Sequence, residues 1–464
     1  MRAFLIAAAL LFASVASAES ATPVLTPQMK ATAVELIALA GESQLGYQLV
    51  ESLTTEVGPR LAGTDAEARA RDWAVKKLKS LGYQNVHVEP FDVPLWVRGV
   101  ERAEITAPFP QPLTVTALGG SISTGPDGVE GEIVSFPSLA AVKAAADGSL
   151  TGKIVFVDEV MTRTQDGSGY GVAGAKRRET AYQAYRLGAK AALIRSVGTS
   201  SHRFPHTGQM HRAIHEVEPS VPAAALSAPD ADQLQRVLKR GQPVIVKLVL
   251  TPQNLPPSQS GNVVAEIVGS EAPEEIVLVG AHLDSWDLGT GAVDDGAGVG
   301  IVVAATKLIM DHLPRAPRRT IRVVLFGSEE VGLVGGKAYA EQHAGELENH
   351  IVGAESDFGA GKIWQFDTRF AEHKLSLGKE IQAVLAPLGI GPGGNKAHGG
   401  PDLMFLARAG MPVVTLKQNG WDYFDLHHTP NDTLDKIDPV ELQQNIAAYA
   451  AFLYLVAELE TDFR

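Results

Sequence analysis

What most constrains the fold of this chain is the regular alternation, after residue 258, of short apolar runs with longer stretches of helical periodicity. Residues 275–281, 320–326, 350–354 and 411–417 read as strands, and 298–312, 335–343, 375–388 and 439–459 as helices. A strand, a helix and another strand, repeated in this way, build a largely parallel sheet with helices on its faces. The fold class expected is therefore α/β: a mostly parallel central sheet flanked by helices.

The residues before this alternation divide in two. Residues 29–53 have helical spacing, and Gly58-Pro59-Arg60 breaks the chain. Gly63-Thr64-Asp65 then offers an N-cap to a helix over 66–81, which Gly82 closes. Val86, Val88 and Phe91 begin a strand. From about residue 98 the character changes. Residues 101–119, 131–137, 152–157, 189–194, 221–226 and 244–250 read as short strands, with a helix at 180–187. This stretch reads as a smaller, β-rich module that leaves through a linker at Pro256-Pro257-Ser258. The organisation expected is an export signal at 1–18, a larger domain in two parts at 19–100 and 258–464, and an inserted module at 101–257.

Arg2, the apolar residues 3–15 and the small-x-small triplet Ala16-Ser17-Ala18 have the order of an export signal cleaved after Ala18. The apolar run is too short to span a bilayer, which takes about 20 residues. Periplasm or extracellular medium is the expected destination. The chain has no Cys, so disulfides cannot contribute and stability must come from buried cores. Formal net charge is −13, and becomes −14 once Arg2 leaves with the signal. That acidity argues against nucleic acid and against an anionic membrane as partners.

The acids and imidazoles fall where chemistry would place them. His282 and Asp284 follow the apolar run 277–279, Glu329 and Glu330 follow 323–326, and Glu355 and Asp357 follow 351–352. Asp294-Asp295 lies in the loop after the first of these strands, and His427-His428 in the loop after Val413-Val414. Ligands of open α/β sheets bind beyond the carboxyl ends of the strands. Taken singly, each group has an ordinary explanation as a capping pair, a helix-start acid pair, a turn or a solvated loop. Together they would concentrate negative charge that only cations relieve. Carboxylate and imidazole donors together suit zinc or a similar divalent ion. The glycine-rich run 289–300 lacks the G-x-G-x-x-G spacing, and Asp294 and Asp295 would repel a phosphate. No G-x-S-x-G elbow is present for a serine hydrolase.

His282-Leu283-Asp284-Ser285, Ala292-Val293-Asp294-Asp295-Gly296, Ser328-Glu329-Glu330-Val331-Gly332, Glu355-Ser356-Asp357 and His428-Thr429-x-x-Asp432-Thr433 resemble, in this order, the motif set of the M28 zinc aminopeptidase family. The likeness runs from Gly58-Pro59-Arg60-Leu61-Ala62-Gly63-Thr64 to Thr433. The inserted module resembles a protease-associated domain, and the whole layout is similar to the carboxypeptidase Q (plasma glutamate carboxypeptidase) branch. The resemblance implies two divalent metal ions, with zinc expected. Asp294 would bridge them, His282 and Asp357 would complete one site, and Glu330 and His428 the other. Glu329 would be the unligated general base, and Asp284 would orient His282 through its second ring nitrogen. A cis Asp294–Asp295 bond is also implied. Between His427 and His428, the family's frame of a Thr after the last ligand and an acid shortly beyond selects His428.

The activity implied is hydrolysis of short peptides, dipeptides or N-terminal residues, by a metal-bridging water that Glu329 deprotonates. Tyr423 and Phe424 are candidates for the substrate pocket or for core packing. Of His398-Gly399-Gly400-Pro401-Asp402, only Asp402 matches the acid that relatives carry near the site. Two other classes share this fold, a non-catalytic binding or receptor protein and a single-zinc, glutaminyl-cyclase-like acyltransferase, and metal stoichiometry separates them. The inserted module could shape the cleft, restrict substrate length or form a homodimer.

Overall fold

The structure, a computed structural model, describes residues 25–210 and 219–464. The expected export signal at 1–18 lies outside the described residues. No helix among the described residues is long and apolar enough to cross a membrane.

In chain order the strands are β1 (Gln84–Val97), β2 (Glu101–Ala107), β3 (Gln111–Leu113), β4 (Val115–Ala117), β5 (Val129–Phe136), β6 (Ile154–Val157), β7 (Ala191–Arg195) and β8 (Ala223–Leu226). They continue with β9 (Ile245–Leu250), β10 (Gln253–Ile267), β11 (Ala272–His282), β12 (Arg319–Phe326), β13 (His350–Glu355), β14 (Ile363–Arg369), β15 (Gly391–Pro392) and β16 (Val413–Gln418). Among the described residues they form two eight-stranded sheets. One has the order β1-β10-β12-β11-β13-β16-β14-β15, and the other β3-β2-β9-β5-β6-β7-β8-β4. The second sheet is built wholly from residues between 101 and 250, the stretch whose composition differs in the sequence.

In the first sheet the adjacent strands β12, β11, β13 and β16 are mutually parallel, as the alternation predicts. Beyond them β10 pairs antiparallel with β12, and β14 antiparallel with β16, so the flanks are mixed. The parallel strands are buried on both faces. Their β-branched runs, such as Ile276-Val277-Leu278-Val279, suit a sheet covered on both sides. One cover is the pair of helices Ala297–His312 and Pro439–Glu458, whose small residues Ala304, Ala305, Ala447, Ala448 and Ala451 are fully or nearly fully buried.

Three boundaries differ from the sequence reading. The helical stretch 29–53 is two helices, Pro27–Ala40 and Leu45–Glu56. The helix read at 180–187 starts at Ser168 and runs to Arg186. Pro256-Pro257-Ser258 is no linker but part of β10, which pairs with β1 along its length. The register of that pairing breaks between Val93 and Leu95, opposite Ser258 and Leu255. A strand irregularity is where proline, lacking a ladder donor, can sit in a sheet.

Candidate metal centre

Parallel pairing brings the functional groups to one edge. His282 is the last residue of β11 and lies opposite Phe326, the last of β12. Glu355 is the last residue of β13 and lies opposite Gly280. Glu329 and Glu330 follow β12 by three and four residues, and Asp357 follows β13 by two. The loop carrying Asp294 folds back over this edge, and its Asp294–Asp295 bond is cis.

The loop is held from several directions. The Asp432 carboxylate accepts the backbone N–H of Val293 at 2.6 Å and of Asp294 at 3.3 Å. The Asp295 carboxylate accepts the N–H of His282 at 3.1 Å and of Gly298 at 2.9 Å. A Cβ at Gly298 would stand 2.1 Å from the Ser356 carbonyl oxygen, so that close approach requires glycine. Arg60 is fully buried and donates to the carbonyls of Leu283, Thr290 and Gly291, tying the first loop to the Gly58-Pro59-Arg60 turn.

Asp294 stands at the centre. Its Oδ1 is 3.0 Å from His282 Nε2, and its Oδ2 is 3.3 Å from His428 Nε2 and 3.7 Å from His427 Nε2. His282 Nε2 is 3.5 Å from Asp357 Oδ1, and His428 Nε2 is 2.9 Å from Glu330 Oε2. Among the described residues, three sets of side chains have donor atoms close enough to share an ion: Asp294 with His427 and His428, His282 with Asp294 and Glu330, and His282 with Asp295 and Asp357. Glu330 Oε1 is buried with no hydrogen-bond partner, as an oxygen kept for an ion would be. Asp295 is already committed to two backbone N–H groups, which makes it a brace more than a donor.

The ring tautomers are set by what lies behind them. His282 Nδ1 faces the Asp284 carbonyl oxygen at 3.0 Å, and His428 Nδ1 faces the Thr207 carbonyl at 3.2 Å. A carbonyl can only accept, so both Nδ1 atoms carry a proton and each Nε2 is the ring atom turned to the acids. The sequence reading gave the first contact to the Asp284 carboxylate. That carboxylate stands behind the carbonyl, its Oδ1 3.6 Å from His282 Nδ1, and also accepts the backbone N–H groups of Glu329 and Glu330 at 3.0 and 3.3 Å, fixing the loop that carries both acids. His427 stacks on His428 with ring centroids 3.4 Å apart, and its buried Nδ1 has no partner.

Crowded carboxylates shape the electrostatics. Burial and then the Asp357 charge hold Glu329 well above the usual carboxylate range. Burial and Asp294 push Glu330 up to about 7, and burial with the Asp284 and Asp357 charges pushes Asp402 up to about 8. Burial opposes protonation of His428, but Glu330 and Asp294 outweigh it and raise the ring to about 10. His282 is likewise raised, against burial, by Asp357, Asp284 and Asp294. A divalent cation among these groups would replace the protons that the charge excess now favours.

The acids open onto a cleft of about 420 Å³ lined by Glu329, Glu330, Asp357, Tyr423 and Phe424. Residues of the second sheet's unit line it too: Asp166, Tyr170, Arg177, Arg178 and Gln209. The sequence reading missed these, as it missed Thr207 behind His428, because no motif marks them. Asp402 sits beside the site, its Oδ1 accepting the Gly336 N–H and its N–H donating to Glu355 Oε2.

Relatives decide the family. The sequence pattern of peptidase family M28 matches residues 262–453. Carboxypeptidase Q of Bos taurus is 36% identical over 417 residues, which cover 89% of this chain and 85% of that protein. The chain belongs to peptidase family M28. A family M28 peptidase precursor from Shewanella amazonensis SB2B has a crystal structure with a TM-score of 0.91 to this one, at 51% identity over 94% of this chain and 98% of that one. A zinc aminopeptidase from Bacillus subtilis shares the fold at 20% identity, with a TM-score of 0.64 over 91% of this chain and 98% of that one. The family that the five motifs resemble is thus the family of the chain.

Proposed function

We propose that this M28 peptidase is an exported, two-metal exopeptidase that hydrolyses short peptides, with Glu329 as general base. The observation that carries the reading is the placement of Asp294, whose two oxygens face one imidazole each, His282 on one side and His428 on the other. His282 and Asp357 would hold one divalent ion, Glu330 and His428 the second, and Asp294 both. Zinc fits these nitrogen and oxygen donors. His428 is favoured over His427 as ligand because its Nδ1 is anchored and its Nε2 touches both Asp294 and Glu330.

Two such ions, when bound, supply Lewis acidity that polarises the scissile carbonyl and acidifies the attacking water. Glu329 belongs to none of the donor groupings yet lines the cleft, and Asp284 fixes its backbone. It is therefore free to take the proton of the attacking water and deliver it to the leaving amine. Asp284 keeps Glu329 and Glu330 in register with each other. The unit formed by residues 101–257 would be a protease-associated-like insertion that closes one wall of the cleft.

Glu329→Gln tests the assignment. Proton transfer by a positioned base is worth about 10²- to 10⁴-fold. Turnover of a zinc-loaded Glu329→Gln chain should fall by that factor while its metal content stays at the wild-type level. Near-normal turnover would remove Glu329 from the mechanism.

A further inference from the structure

We infer that Arg177, on the helix Ser168–Arg186 of the inserted unit, recognises the free α-carboxylate of the residue that follows the scissile bond. The inference rests on the peptidase reading of the metal centre, and it names the group through which that site selects an unblocked dipeptide.

Arg177 is buried, yet it lines the cleft. Its Nη2 donates to the Tyr170 hydroxyl at 2.5 Å, its Nη1 lies 3.5 Å from His428 Nδ1, and its Nε has no partner. Among the described residues no carboxylate stands within ion-pair distance of it. Other buried arginines are answered. Arg195 pairs with Asp158 and Asp232, Arg319 with Glu275, and Arg60 with a ring of carbonyls. Lys417, another cation of the cleft wall, is paired with Asp367 at 2.8 Å. A buried guanidinium on a cleft wall, with an N–H unpartnered and no anion beside it among the described residues, is costly to keep, and an anion entering the cleft relieves that cost.

The guanidinium is also held in place. Tyr170 stacks on Phe424 with centroids 4.8 Å apart and meets the edge of His427 at 5.0 Å, so the hydroxyl that supports Arg177 is itself fixed. Gly208, at φ +129°, packs so closely that a Cβ there would fall 2.5 Å from Arg177 Nη1 and 2.8 Å from His428 Nδ1. Any other residue at 208 would displace either the arginine or the ligand histidine.

Position selects the substrate group. His428 turns Nδ1 towards Arg177 and Nε2 towards Asp294 and Glu330, so one imidazole separates the arginine from the metal-binding acids. A peptide advances roughly 3.3–3.6 Å per residue. With its acyl carbon at the acids, a dipeptide therefore brings its terminal carboxylate about one ring's width further, within reach of Arg177. The planar fork of a guanidinium matches a carboxylate with two parallel hydrogen bonds. A longer peptide offers a neutral amide there instead, and leaves the arginine unpaired.

The test compares alanyl-leucine with alanyl-leucine amide on the full zinc-loaded chain, as wild type, Arg177→Gln and Tyr170→Phe. Truncating one partner of a buried, hydrogen-bonded charge pair costs roughly 10²-fold in binding. Wild type should prefer the free acid by about that factor in kcat/KM. Arg177→Gln should lose the preference through the free acid alone, leaving the amide almost unchanged, and Tyr170→Phe should lose part of it. Equal cleavage of acid and amide by wild type would overturn the inference while leaving the peptidase reading standing. So would a preference that survives in Arg177→Gln, or an equal loss on both substrates, which would make Arg177 only a prop for His428. If Arg177→Gln does not fold, as judged by its melting and metal content, Tyr170→Phe carries the test, and an unchanged ratio there overturns the inference. Cleavage of neither substrate by wild type would take down this inference and the short-peptide reading together.

Discussion

The two sheets have eight strands each, and both end parallel strands in charged residues, yet those charges have opposite fates. In the inserted sheet, Arg195 closes β7 and is answered by Asp158, just past β6, at 2.7 Å and by Asp232 at 2.6 Å. Charges there cancel, and the edge is structural. In the larger sheet, Glu329, Glu330, Asp357 and Asp294 gather round two imidazoles, and no Lys or Arg among the described residues pairs with any of them. Polar residues at strand ends mark a site when their charges fail to cancel. The inserted unit also sets buried Arg177, which has no ion-pair partner among the described residues, beside His428 at the edge of the other sheet's acids. Each region holds what the other lacks.

If that division of labour is right, damage to the core of the inserted sheet should spare the metal centre. Phe156 lies in β6 with no exposed surface, and Phe156→Ala should cost about 3–5 kcal/mol of stability in chemical denaturation. Zinc per folded chain should not change. A parallel loss of zinc would break the comparison, because the metal centre would then depend on the packing of the second sheet. Asp432→Ala strikes the other region. It leaves the N–H groups of Val293 and Asp294 buried without an acceptor, at a cost of about 1–3 kcal/mol. Here zinc affinity should fall with stability, since the same bonds place Asp294.

The smallest effect is a pH dependence confined to the acid-rich region. Glu330 and Asp432 are held at about 7 and Asp402 at about 8, burial being the main cause in each case. A carboxyl whose pKa is raised by folding stabilises the fold fully below its unfolded value, and that contribution is lost as pH rises through the folded value. The buried rings of His206 and His350, lowered to about 4 by burial, act in the opposite sense only below about pH 6.5. Chelator-treated protein should therefore lose stability steadily from about pH 6.5 to about pH 8, with His282 and His428, raised by the same acids, adding in the same sense. Zinc should flatten that slope, and an equal slope in both samples would detach it from the metal centre.

Much of the larger sheet could be read from the sequence because each parallel strand is a continuous apolar run that stops at a functional residue. Ile276-Val277-Leu278-Val279 leads to His282, and Val323-Val324-Leu325-Phe326 to Glu329 and Glu330. Loops returning over that edge were legible through Asp294-Asp295 and His428-Thr429-x-x-Asp432. The wall opposite was not. Gly169, Gly171 and Gly174 interrupt the helical pattern of Ser168–Arg186, so its first turns, with Tyr170 and Arg177, went unread. Strand β14 alternates polar Gln365 and Asp367 with Phe366 in an antiparallel position near the sheet's edge, where the apolar signal is weak. Arg60 and Thr207 act through backbone contacts to residues far along the chain, which no local spacing encodes.

The central claim is two ions on one bridging carboxylate, and counting them is the direct test. Metal-free chain would be titrated with Zn²⁺ while bound metal and alanyl-leucine hydrolysis are followed on the same sample. The account predicts two zinc ions per chain, with hydrolysis reaching its full rate as the second is taken up. Saturation at one ion per chain would contradict it and favour a single-zinc acyl-transfer site, and a chain that takes up no metal would favour a binding role.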